Sequence, residues 1–134
     1  MKIEHIGIAV LNLESSIPLY EKIFQTNCYK IEEVESEKVK TAFFKIGDCK
    51  IELLQATDES STIHKFIEKK GEGIHHIAFN VDNVNNQINR LIKSGIESIH
   101  QQAKEGADNK LIAFLHPKST GSVLMELCQD KEIE

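Results

Sequence analysis

Apolar and polar residues alternate in Ile3-Glu4-His5-Ile6-Gly7-Ile8-Ala9-Val10, and the same alternation returns in Ile74-His75-His76-Ile77-Ala78-Phe79-Asn80-Val81. Period-two patterning from Ile6 to Val10 and from Ile77 to Val81 predicts half-buried strands. The two segments align at an offset of 71 positions, His5 falling on His76. At the same offset Leu13, Ile17 and Tyr20 fall on Val84, Ile88 and Leu91, spaced to line one face of a helix. Ser15 or Ser16 is the expected cap of the first helix, with Pro18 near its opening turn, and Gly95 after Lys93-Ser94 stops the second.

The repeat continues. Thr41-Ala42-Phe43-Phe44 matches Ile112-Ala113-Phe114-Leu115, still at 71. The next turn is longer in the second copy, where His116-Pro117-Lys118-Ser119-Thr120-Gly121 stands against Lys45-Ile46-Gly47-Asp48, and the offset grows to 74. Ile51-Glu52-Leu53-Leu54 then lies on Met125-Glu126-Leu127-Cys128. A further strand is expected near Cys28 to Glu35, with a counterpart near Glu97 to His100. Each copy therefore reads βαβββ, an α+β fold.

Between the copies, Ile63, Phe66 and Ile67 recur at helical spacing in a segment that ends at Gly71, which predicts a bridging helix. The expected division is a first module over residues 1–58, a linker helix over 59–72 and a second module over 73–134. A unit of about 60 to 70 residues is marginal alone, so the two modules should pack as one compact domain and bury one face of a shared sheet.

Parity assigns side chains to strand faces. Ile6, Ile8 and Val10 share one face, whereas His5 lies with Gly7 and Ala9; Ile77, Phe79 and Val81 oppose His76, Ala78 and Asn80. Glu52 and Glu126 are each flanked by aliphatic neighbours that point the other way. Any one of these polar residues alone reads as an exposed or hydrogen-bonded group near a strand end. Together they form two equivalent pairs, and a carboxylate in an apolar strand is costly to bury uncompensated. A shared divalent cation held by His5, Glu52, His76 and Glu126 would settle both charges; two imidazoles and two carboxylates suit zinc, nickel, cobalt or manganese. His75 has the opposite parity and is read as structural, and His64, His100 and His116 are assigned no metal role.

Composition narrows the classes of function. The 134 residues are 40% hydrophobic and 28% charged, as expected of a compact domain able to bury a core. A net charge of −5, with Arg90 the only arginine, argues against nucleic acid as a partner. The apolar runs are strand-sized, so no membrane span is expected and a cytoplasmic location follows by default. Cys28, Cys49 and Cys128 are widely separated without a CxxC pair and are read as reduced.

With this constellation the chain resembles the vicinal oxygen chelate superfamily, the group of glyoxalase, bleomycin-resistance and ring-cleaving dioxygenase proteins. The resemblance implies paired βαβββ modules forming a cup-shaped sheet around one metal ion, with His5, Glu52, His76 and Glu126 as its ligands. Within the superfamily the chain looks most like the methylmalonyl-CoA epimerases, above all through His116-Pro117-Lys118-Ser119-Thr120-Gly121-Ser122-Val123-Leu124-Met125-Glu126-Leu127-Cys128. That likeness implies α-proton abstraction from an acyl-CoA thioester, with Glu52 and Glu126 as proton carriers, and a homodimer. Some epimerases that resemble the chain carry a further glutamate where Thr41 stands, and Thr41 cannot act as a carboxylate base.

Glyoxalase I, or lactoylglutathione lyase, is the alternative. Such proteins usually carry an arginine for a glutathione carboxylate where this chain has Ala9, and Arg90 lies off the apolar stripe of its helix. A non-catalytic small-molecule binder of the resistance type is a second alternative, but such binders often lack the ligand set. A ring-cleaving dioxygenase would use two histidines and one carboxylate, leaving the fourth residue unexplained. Lys118, Ser119, Thr120 and Gly121 are candidates for a coenzyme A phosphate through backbone amides and one positive charge, although the same residues also make a good turn.

Overall fold

The computed structural model describes residues 1–131 and resolves into two compact units, residues 5–75 and residues 76 onward together with residues 1–4. In chain order the elements are β1 (Lys2–Ala9), α1 (Leu13–Phe24), β2 (Lys30–Val34), β3 (Val39–Ile46), β4 (Cys49–Ala56) and α2 (Thr62–Lys70). There follow β5 (Gly73–Asn80), α3 (Val84–Lys93), β6 (Lys104–Glu105), β7 (Lys110–Phe114) and β8 (Met125–Asp130). The βαβββ order is present twice, as the repeat requires.

In the first unit the strands lie in the order β2-β3-β4-β1. β2, β3 and β4 are antiparallel neighbours, whereas β1 pairs β4 in parallel with Gly7 opposite Glu52. One face of this sheet buries Ile8, Val10, Ala42, Phe44, Ile51 and Leu53 against Leu13, Ile17, Tyr20 and Phe24 of α1. Phe24 packs edge-on against Phe44, ring centroids 5.5 Å apart, a geometry that aromatic quadrupoles favour. The other face buries Ala9, Val39 and Leu54 under Ile63, Phe66 and Ile67 of α2. The bridging helix thus covers one end of the face that carries His5 and Glu52.

The second unit repeats this order as β5-β8-β7-β6, with β5 parallel to β8 and Ala78 opposite Glu126. Val84, Ile88 and Leu91 of α3 pack on Val81, Ala113, Leu115 and Leu127. α3 ends as expected, with Ser94 as its C-cap and Gly95 at φ 87°, a left-handed conformation that glycine adopts without a Cβ penalty.

Two expectations are corrected. The cap of α1 is Asn12, not Ser15 or Ser16: its extended backbone precedes the helix and its Oδ1 accepts a hydrogen bond from Glu14 N at 2.7 Å. The helix therefore starts earlier than the serines suggested, and Pro18 lies inside it. Asn83 caps α3 in the same way, accepting from Asn86 N at 2.9 Å. Secondly, residues 97–100 do not form the counterpart of β2. Ser98 makes an isolated bridge to Leu115, and the paired strand is β6. The ladder is diverted at His100, whose Nδ1 accepts from Phe114 N at 3.0 Å and so takes the place of a backbone carbonyl.

A glutamine completes each helix start. Gln55 Oε1 accepts from Leu13 N at 2.7 Å, and Gln129 Oε1 accepts from Val84 N at 2.6 Å, each reaching from the strand that bears the glutamate to the first N–H of the helix. These donors have no partner within the helix. Replacing Gln129 by Leu should therefore cost about 1 kcal/mol, read as a lower denaturation midpoint at unchanged m-value.

Candidate metal centre

Parallel pairing fixes the position of each carboxylate. Because Gly7 is opposite Glu52, and His5 precedes Gly7 by two residues, His5 and Glu52 share a face on adjacent strands. His5 Nδ1 lies 3.1 Å from Glu52 Oε2. The second unit reproduces the arrangement, with Ala78 opposite Glu126 and His76 two residues before Ala78. There His76 Nε2 and Glu126 Oε1 are 4.0 Å apart. All four residues are buried, none more than 6% exposed.

The antiparallel neighbours are matched as well. Phe43 lies directly opposite Glu52 and Phe114 directly opposite Glu126, so each carboxylate has a phenyl ring beside it on the next strand. Phe114 also meets the His76 imidazole edge-on, at 86° with centroids 5.5 Å apart, which restricts the rotation of that ring. His100 packs near the same phenyl, with centroids 6.0 Å apart. The phenyls escaped the sequence reading, although both stand in the aligned segments at the offset of 71.

The chemistry of each pair fits a metal ligand set. One imidazole nitrogen and one carboxylate oxygen, both removed from water, are donors suited to a borderline divalent ion, and such an ion would compensate the buried negative charge. His75 has a different setting. It packs edge-on against Phe66 at 5.0 Å, and burial, with Lys70 nearby, lowers its pKa to about 4, so the ring stays neutral. His64 faces Glu68 across one helical turn, and His116 Nδ1 accepts from Lys118 N at 3.3 Å. Thr41 is 1% exposed on the face that carries Glu52.

The loop from Lys118 to Gly121 bonds largely to its surroundings. Lys118 Nζ lies 3.1 Å from Glu97 Oε2, Ser119 Oγ accepts from Glu97 N at 3.0 Å, and Thr120 Oγ1 donates to the Val123 carbonyl at 2.6 Å. Gly121 has φ 67°, as the return of the chain into β8 requires. Arg90 is tied to Gln87 Oε1 on the surface of α3. No helix among the described residues is long and apolar enough to cross a membrane.

The chain is similar to several known proteins. Residues 4–114 match the model of the glyoxalase/bleomycin resistance protein/dioxygenase superfamily. Over 130 residues the chain is 38% identical to the uncharacterized protein YqjC of Bacillus subtilis (strain 168), covering 97% of this chain and 93% of that protein. It is 36% identical to the mitochondrial methylmalonyl-CoA epimerase of Homo sapiens over 129 residues, 96% of this chain and 73% of the relative. A Streptomyces coelicolor methylmalonyl-CoA epimerase variant, solved in complex with 2-nitronate-propionyl-CoA, superposes with a TM-score of 0.94 at 31% identity, covering 100% of this chain and 97% of that one. With a match over residues 4–114 and relatives of this kind, the chain belongs to the glyoxalase/bleomycin resistance protein/dioxygenase superfamily.

Proposed function

We propose that the chain is a metal-dependent epimerase that abstracts the α-proton of an acyl-CoA thioester, with methylmalonyl-CoA as substrate. The observation that carries this reading is the pair of buried histidine–glutamate sets at equivalent register positions, in a chain whose relatives include methylmalonyl-CoA epimerases. His5, Glu52, His76 and Glu126 would together hold one divalent cation, zinc, nickel, cobalt or manganese. When bound, the cation supplies Lewis acidity toward an oxygen on which negative charge develops.

The chain's own residues provide the rest. A carboxylate of ordinary basicity removes a proton from carbon only when the resulting charge is stabilised, so proton transfer and ligation must occur side by side. Inversion requires one carrier for each face of the α-carbon, and Glu52 and Glu126 come from different modules. Thr41 offers a hydroxyl and no carboxylate, so it supplies no base at the place where some epimerases that resemble the chain carry a further glutamate. His5 and His76 would each offer a ring nitrogen, and Phe43 and Phe114 flank the carboxylates on the neighbouring strands. The loop from Lys118 to Gly121 would contribute to holding coenzyme A, Lys118 exchanging Glu97 for a phosphate.

The lyase reading is the weaker one. Ala9 is wholly buried under α2, so the place expected to grip a glutathione carboxylate presents neither charge nor hydrogen-bond donor from a side chain.

In metal-reconstituted protein in D2O, the α-proton of methylmalonyl-CoA should exchange faster than in buffer alone, while methylglyoxal with glutathione should not react. Catalysis of neither reaction would sink the enzymatic reading. Glu126→Ala should lose tight metal binding on dialysis, and a variant retaining one full equivalent would refute the ligand set. Phe114→Leu, which frees the His76 ring, should weaken metal affinity about tenfold in a competitive chelator titration, as loss of an orienting neighbour typically does.

A further inference from the structure

Phe114, which meets the His76 imidazole and stands opposite Glu126, is the last residue of β7, at the end of the element where fraying begins. β6 spans two residues, and these pair with Leu111 and Ile112, short of Phe114. The segment from Ser98 to His100 takes over at that point. Ile99 N donates to the Phe114 carbonyl at 2.8 Å, Ser98 Oγ donates to the same carbonyl at 3.3 Å, and His100 Nδ1 accepts from Phe114 N at 3.0 Å. Both backbone groups of the residue beside the candidate ligands are thus held by one short loop.

The repeat separates the general part of this clamp from the particular part. At the offset of 71, His100 falls on Tyr29 and Phe114 on Phe43. Tyr29 packs on Phe43 with ring centroids 6.1 Å apart, as His100 packs on Phe114 at 6.0 Å, and Tyr29 N donates to the Phe43 carbonyl at 3.1 Å. A ring behind each phenyl is common to both modules. Tyrosine has no ring nitrogen, so the bond from a strand amide to that ring belongs to the second module. A partly buried N–H that loses its acceptor costs free energy, and the strand end would shift to find another. The phenyl moves with the backbone that carries it, and the edge-on contact with His76 moves too.

We propose that His100 is a positioning residue of the metal centre: its bond to the Phe114 amide holds the phenyl against His76 and so keeps that imidazole turned for ligation. This assignment rests on the metal-binding reading above and extends it to a histidine outside the ligand set.

The test titrates the full chain with cobalt against a competing chelator and records the visible absorption of the bound ion, which reports its coordination geometry. His100→Leu should weaken cobalt affinity about tenfold and shift the spectrum, as loss of an outer orienting partner does. His100→Asn, whose Oδ1 can accept in place of Nδ1, should bring the affinity back to within about threefold of wild type, the residue left by the missing ring. In a Phe114→Leu background, which has no phenyl to hold, His100→Leu should weaken binding no further. Ile88→Val, which opens a cavity on the helix side of the same module, should lower stability and leave affinity and spectrum unchanged.

A His100→Leu protein that is folded by circular dichroism and keeps wild-type affinity and spectrum would overturn the proposal. So would an asparagine variant as weak as the leucine one, a further loss in the Phe114→Leu background, or an equal loss in Ile88→Val. If wild-type protein binds no cobalt, the metal reading fails on its own, and NMR relaxation of the His76 ring in metal-free protein decides the clamp. Greater ring mobility in His100→Leu supports it, and unchanged mobility refutes it.

Discussion

Each half of the site depends on one constraint, the parallel register between the first and last strands of a module. Setting Gly7 opposite Glu52 and Ala78 opposite Glu126 brings a histidine and a glutamate onto one face of neighbouring strands. A slip of one residue would turn the glutamate to the helix-covered side, where a carboxylate would sit among Phe44, Leu53 and α1. The register is accordingly held at the end where each parallel pair leads into its helix. Backbone bonds from Val10 N to the Leu54 carbonyl and from Val81 N to the Cys128 carbonyl close each ladder, both at 2.9 Å, and Gln55 and Gln129 tie the same strands to the helix starts.

The repeat makes this constraint visible twice and also separates necessity from ornament. What recurs in both modules is the asparagine cap, the glutamine tie, the phenyl beside the carboxylate and the histidine two residues before the paired position. What differs is not set by the repeat. Thr41 against Ile112, and Lys45 and Lys50 against His116 and Leu124, fall in this second group, and all lie on or beside the face that carries a histidine–glutamate pair.

Much of this was legible in the sequence because period-two alternation reports the face of every strand residue directly. The two βαβββ modules, the bridging helix and the placement of the four candidate ligands followed from parity and offset alone. The ties of Gln55 and Gln129 did not, because they connect residues 42 and 45 positions apart and depend on a register that only the folded chain supplies. Asn12 and Asn83 stand at the repeat offset and could have been recognised as caps; the serines nearer Pro18 offered a competing signal of the same chemistry. The strand expected at residues 97–100 failed for a different reason, since a side chain, that of His100, serves as the hydrogen-bond acceptor and no alternation pattern encodes such a substitution.

The longer turn of the second module has a consequence for how such a chain can diversify. Three extra residues inserted within a strand would reverse the facing of everything beyond them, yet here they are absorbed between β7 and β8, and Glu126 keeps the orientation of Glu52. A 3-10 turn at Pro117–Ser119 takes up the added length, and backbone bonds from Ser119 N to the His116 carbonyl and from Ser122 N to the Pro117 carbonyl fix its path. Odd and even insertions are equivalent at that point. The segment can therefore be lengthened, shortened or exchanged for a reporter sequence without altering which way the carboxylate faces, which makes it the natural place to graft new specificity onto a constant site.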